Sequence, residues 1–308
     1  MSTLGLVQVL YGALILVMTG LGLSLRPRDF RILNTKRAAV IGALLLQMVV
    51  LPLVALALAL GFKLPGLLAV GMLILAATPG SISANLFSHL FGGNVAFNVA
   101  LTGLNTFLCA LTMPLIAGWA IGFFTGTAYL MPILMDKALQ TIGIVTIPVI
   151  LGMAIAHRFP SFATRVAKPV KILSAAVVVV ISVVAIVKEW ATISGAFGQV
   201  GAAIILLNLI SLAVGYGGAR ALRLGPAEAT TVTFQVSVHN AIQAIYVALA
   251  VLNEPLIALP AAVYSITMNA LAMGFGISQT LIRRRQTRAR PGQHGSHHSE
   301  YRPVQARI

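Results

Sequence analysis

An apolar run from about residue 67 to 91 is interrupted near its middle by Ala76-Ala77-Thr78-Pro79-Gly80-Ser81-Ile82-Ser83-Ala84-Asn85. A run of that length reads as a membrane span, yet Pro-Gly at its centre stops it from crossing as one helix. Proline removes a backbone donor and clashes with the preceding turn, and glycine lets the chain leave helical geometry, so a split at Pro79-Gly80 is predicted. The freed amides and carbonyls need partners, because an unsatisfied backbone group in hydrocarbon costs several kcal/mol. Such a break survives where it is buried in protein or lines a polar cavity, which marks a candidate binding site at mid-depth. A proline kink patched by neighbouring helices is the plainer alternative.

The remainder of the chain has the same character. With 58% of its 308 residues hydrophobic and 9% charged, it is excluded from the ordinary soluble domains and reads as an all-α polytopic membrane protein. Nine spans are predicted, near residues 4–25, 39–61, 67–91, 95–124, 133–156, 170–187, 198–219, 229–252 and 256–282. No Lys or Arg precedes the first span and Arg26, Arg28 and Arg31 follow it, so it is expected to remain as a span rather than a signal peptide. The net charge of +15 sits in loops and tail. Lys63, Lys137 and Lys188 fall on one side and the other eighteen Lys and Arg on the opposite side, which places the N-terminus outside and the C-terminus in the cytoplasm and makes nucleic acid an unsuitable partner. A bacterial-type inner (plasma) membrane is expected. Residues 1–285 form the membrane domain, and 286–308 a basic, proline- and glycine-bearing tail expected to be disordered. His294, His297 and His298 of that tail read as solvated rather than metal-binding, and Cys109 stands alone, so neither a metal centre nor a disulfide within the chain is expected.

The eighth span carries a second interruption, Gln235-Val236-Ser237-Val238-His239-Asn240. It has no Pro or Gly, and the break is inferred from polarity, because amides and an imidazole are expensive in hydrocarbon unless they face a cavity or partners. Spans three and eight lie five apart and so cross the membrane in opposite directions. This is the pattern of inverted repeats, with spans one to four matching six to nine, and paired broken helices point to a site at the midplane. Gln47, Asn98, Thr102, Asn105, Thr106 and Asn269 lie in neighbouring spans, where any one alone reads as interhelical glue. Neutral oxygens at helix breaks suit Na+, and half-helix N-termini suit a carboxylate, here at the amides after Gly80 and near Asn240.

At these residues the chain resembles the bile acid:sodium symporter family. The resemblance rests on Gly20-Leu21-Gly22-Leu23-Ser24-Leu25-Arg26-Pro27-Arg28-Asp29-Phe30, on Thr78-Pro79-Gly80 through Gly93-Asn94-Val95-Ala96, and on the Asn240 region followed by Pro260 and Asn269. It implies a core of spans two to four and seven to nine, whose third and eighth helices cross at their breaks, and a panel of spans one, five and six. Ten-helix members carry one more helix at the start. Family ion positions map onto Gln47, Ala84, Asn85, Asn98, Thr102, Gln235 and His239, and the substrate region onto Ser81, Ile82, Ser83, Asn240 and Asn269. Gln235 stands where a glutamate shared by two sodium sites is common, His239 where glutamine is frequent, and Ala84 replaces a hydroxyl residue. The six acidic residues, Asp29, Asp136, Glu189, Glu228, Glu254 and Glu300, are assigned to loops or tail.

Three classes of function compete. Secondary transport of a bile-acid-like or small organic anion by alternating access, with weakened sodium coupling, fits the motifs and the symmetry; proton-coupled or uncoupled carriage is the alternative. An intramembrane enzyme using Ser237 and His239 has no carboxylate orienter, no Gly-x-Ser-x-Gly elbow and no HExxH motif. A channel or scaffold has no use for two inverted broken helices. No cofactor is expected beyond Na+.

Overall fold

The computed structural model describes residues 3–126, 131–166 and 197–288, with single positions between 169 and 187. Most of the predicted sixth span, Lys188, Glu189 and the tail histidines lie outside the described residues. Among those described there are helices and turns and no strand. α1 (Thr3–Ser24) leads through a short 3-10 turn to α2 (Arg31–Thr35). α3 (Arg37–Leu45) passes through a π-turn at Leu46–Val50 into α4 (Leu51–Gly61). There follow α5 (Gly66–Ala76), α6 (Ile82–Leu90), α7 (Val95–Thr125), α8 (Met131–Arg158), α9 (Phe197–Ala221), α10 (Pro226–Ser237) and α11 (Ala241–Tyr246). A second π-turn, Val247–Val251, ends α11, and α12 (Pro255–Arg288) closes the described chain.

Among the described residues four helices are long and apolar enough to cross a membrane: Arg37–Gly61, Val95–Thr125, Val200–Ala221 and Pro255–Arg283. Their outward faces are apolar in a regular pattern. Ile41, Leu45, Val49 and Leu53 recur every four residues along α3–α4, and Leu111, Leu115, Trp119 and Phe123 along α7, all of them exposed. A water-facing helix would carry polar residues there, so these stripes face lipid.

Two predicted boundaries shift. α8 begins at Met131, so Asp136 is helical rather than in a loop. α12 runs to Arg288, past the point at which the basic tail was expected to begin.

α1 packs along α8, and the approach is close because Gly22 and Gly152 face each other; a Cβ on Gly22 would collide with Val149 O, and one on Gly152 with Thr19 O. α5 packs on α7 and α12, and α9 on α10. Polar contacts tie the rim near the start of α10. Lys36 Nζ lies 2.6 Å from Glu228 Oε1, and Arg283 donates to Pro226 O at 3.1 Å and Thr230 Oγ1 at 2.7 Å.

Glu228 sits in the first turn of α10, where an anion complements the helix dipole. Its hydrogen bond from Lys36 is the main cause that holds its carboxyl below the ordinary value of 4.5. A depressed carboxyl contributes stability above that value and loses it as pH falls through the folded pKa. Glu228→Gln should therefore lower stability at pH 7, by no more than about 1 kcal/mol for a partly exposed pair, read as a lower apparent thermal midpoint. The gap from the unmodified protein should close in acid. A gap that stays constant down to pH 3 would show that the ion pair is not its source.

Candidate functional site

Both interruptions are breaks, and each completes the other. α5 ends at Ala76 and α6 starts at Ile82; α10 ends at Ser237 and α11 starts at Ala241. The two connecting strands of backbone run antiparallel, with Gly80 opposite His239. Ser81 N donates to Val238 O at 2.7 Å and Asn240 N to Pro79 O at 2.9 Å. The other freed groups find side chains: Gln47 Nε2 donates to Thr78 O at 2.9 Å and the Tyr264 hydroxyl to Ser237 O at 2.7 Å. The N-caps are matched as well, for Ser81 Oγ accepts from Ser83 N and Asn240 Oδ1 from Gln243 N. Thus α10 breaks without Pro or Gly because the crossing segment offers its backbone equivalent partners.

Gly80 is required here for space and not for a left-handed φ, since it is absent from the positive-φ glycines among the described residues. A Cβ on Gly80 would run into the side-chain amide of Gln235. That amide is buried, and its Oε1 accepts from Thr102 Oγ1 at 2.7 Å; the same hydroxyl lies 2.8 Å from Asn98 O, and its single proton serves one acceptor at a time. Gln47, presented by the first π-turn, also reaches His239, with Nε2 3.2 Å from Nδ1. Around the crossing lie buried polar atoms without a hydrogen-bond partner: Gln47 Oε1, Asn85 Oδ1, both amide atoms of Asn98, Gln235 Nε2 and His239 Nε2. Native interiors rarely leave such groups unpaired, which makes the cluster a candidate binding site.

Of the ion positions expected from sequence, Gln47, Gln235, His239 and Thr102 are joined by hydrogen bonds into the crossing, while Asn98 and Asn85 are buried with open valences. Ala84 is fully buried and offers no side-chain oxygen. Among residues 81–83 the amides of Ser81 and Ser83 are already occupied, which leaves Ile82 N without an acceptor among the described residues. Asn269 is exposed and bonds its own helix at Ser265 O, 3.2 Å. Asn105 and Thr106 also stay local, bonding Cys109 and Thr102 O on α7.

Three participants were not singled out from sequence: Tyr264, Ser211 and Thr231. Tyr264 packs edge-on against His239 at 5.3 Å and lies 3.2 Å from Ser211 Oγ; Thr231 accepts from Asn94 N at 2.8 Å. Tyr and Thr pass unnoticed in apolar spans, and the signal that would have flagged them is their adjacency to the breaks. Among the described residues Ser237 makes no hydrogen bond to His239, so no nucleophile-base pair is assembled.

The fold and this site define an integral membrane protein in which two interrupted helices meet at a buried, uncharged, polar crossing. The profile of the Sodium Bile acid symporter family matches residues 12–196, which include the first break and stop before the second. Over 266 residues the chain is 30% identical to the "uncharacterized sodium-dependent transporter YocS" of Bacillus subtilis, covering 82% of this chain and 77% of the relative. It is 24% identical over 253 residues to the rice "probable sodium/metabolite cotransporter BASS2, chloroplastic", covering 82% and 59%, and 29% identical over 235 residues to human "sodium/bile acid cotransporter 4", covering 74% and 52%. The chain thus spans little more than half the length of the latter two. It belongs to the Sodium Bile acid symporter family; it is a transporter and not an enzyme.

Gly80 and Gln235 should be energetically coupled. Gly80→Ala should sharply reduce the yield of folded protein, and Gln235→Ala in the same chain should restore much of it, with an interaction of about 1 kcal/mol or more for groups in contact. Additive losses in detergent melts would refute the close approach.

Proposed function

We propose that the chain is a secondary active transporter that carries a small or amphipathic organic anion through the crossing by alternating access. The proposal includes nine spans in two inverted repeats, with spans two to four and seven to nine moving as a core against spans one, five and six. The N-terminus is outside and the C-terminus in the cytoplasm of a bacterial-type inner membrane. The observation that carries it is the group of unpartnered buried polar atoms beside two helix breaks. The names of the relatives, sodium-dependent transporter, sodium/metabolite cotransporter and sodium/bile acid cotransporter, support an organic solute and Na+.

In this reading the anion's carboxylate meets the free Ile82 amide at the start of α6 and the Asn240 side chain, with Ser81 and Ser83 shaping the turn and Asn269 bordering the approach. Gln47, Asn85, Asn98, Thr102, Gln235 and His239 surround the coupling ion. Their carbonyl oxygens are neutral, and one of them, on Gln235, is already engaged by Thr102. Two desolvated cations without a fixed anion would be costly, so one weakly held Na+ fits better than two. Proton coupling is the second reading, favoured by the unpartnered His239 Nε2.

Uptake of labelled taurocholate and of short carboxylates into proteoliposomes tests this. Asn240→Leu should abolish uptake in a protein that still folds, because it removes an amide without placing a charge in the membrane. Replacing Na+ by choline at fixed pH should reduce uptake only modestly and without steep cooperativity, and Gln235→Glu should steepen the sodium response. Steep sodium dependence in the unmodified protein with no gain in Gln235→Glu would overturn the charge argument. Stimulation by an inward proton gradient without sodium, lost in His239→Gln, would decide for the proton.

A further inference from the structure

Beyond the crossing, α11 carries a second polar feature. Asn240, Gln243 and Tyr246 recur every three residues and so share one face, and all three are buried, Gln243 and Tyr246 completely. Gln243 Oε1 has no hydrogen-bond partner, and Nε2 has the thioether sulfur of Met113 at 3.8 Å, a weak acceptor. Its neighbours along the helix, Ala241, Ile242, Ala244 and Ile245, are apolar and buried. A leucine would fill such a place without the desolvation cost that a buried unpaired amide incurs. The corresponding register on α6, after its own cap at Ser81, holds Ala84 and Phe87, so only one of the two half-helices carries an amide there.

We propose that Gln243 is a second subsite, which reads a hydrogen-bonding group of the carried anion about one helical turn from its carboxylate. This rests on the crossing being the substrate site. Three residues of helix rise by about 4.5 Å, which sets the separation between Asn240 and Gln243 and hence between the carboxylate and the second polar group of the substrate. The amide can donate and accept, so a hydroxyl, an oxo group or an amide is suited, and an unsubstituted acid leaves the amide unpaired. Such sites discriminate strongly against analogues that lack the group. Beyond Gln243, Tyr246 meets the ring of Tyr11 on α1, centroids 5.0 Å apart at 83°, which ends the polar face. In this conformation Met113 on α7 lies against Gln243 and Tyr11 on α1 against Tyr246.

The test compares 4-hydroxybutanoate with butanoate, binding each to the purified full chain in lipid nanodiscs. The hydroxy acid should bind at least about tenfold more tightly, and in Gln243→Leu, shown to be folded by gel filtration and melting, the ratio should fall to about one. Equal affinities in the unmodified protein overturn the subsite and leave the crossing untouched. A ratio that survives in Gln243→Leu also overturns it, and a raised melting point in that variant would then identify Gln243 as an unpaired amide of the interior. Binding of neither acid by the unmodified protein counts against the crossing as the substrate site as well as against the subsite.

Discussion

Two main-chain hydrogen bonds, Ser81 N to Val238 O and Asn240 N to Pro79 O, make the rest of the molecule possible. A helix interrupted in hydrocarbon leaves several amides and carbonyls without partners, and neither break could persist alone. Brought together antiparallel, each segment supplies what the other has lost. Gln47 and Tyr264 then close the accounts at Thr78 O and Ser237 O, so these side chains act as substitutes for a missing turn of helix. The crossing is consequently a fixed point to which α3–α4, α5, α10 and α12 are all tied.

The backbone is satisfied at the crossing and the side chains are not. Charge is kept at the rim, where Lys36 pairs with Glu228 and Arg283 holds Pro226 and Thr230, while amides, hydroxyls and an imidazole occupy the interior. A neutral polar cluster costs less to build than buried ions and binds ions less firmly. In the proposed function, the same neutrality would let a negatively charged solute enter without meeting a fixed carboxylate, and the amide at position 235 would hold a cation less firmly than a carboxylate.

Both breaks were legible in the sequence, one from Pro79-Gly80 and the other from the density of polar groups at 235–240, because hydrocarbon gives polar residues few other reasons to be there. The role of Gly80 was not legible. Its reason is steric, the passage of Gln235 across its Cα, and contacts between residues so distant in sequence leave no local pattern. The expectation that three amides after Gly80 would be free also missed the crossing's own demand, since the bridge consumes Ser81 N and the cap consumes Ser83 N. Asp136 was assigned to a loop although it lies inside the predicted 133–156 span, and α8 begins five residues before it.

Rigidity is unevenly distributed, and this bears on what moves in the proposed cycle. Gly22 and Gly152 bring α1 and α8 to backbone contact, and the antiparallel bridge locks α5, α6, α10 and α11 to one another. Between these two assemblies, α1 meets α11 through side chains, with the Tyr11 and Tyr246 rings at its centre. Aromatic contacts of this kind are worth about 1 kcal/mol and involve no main-chain bonds, so they separate far more readily than either assembly deforms. The seam between α1 and α11 is therefore where alternation would occur in the proposed cycle.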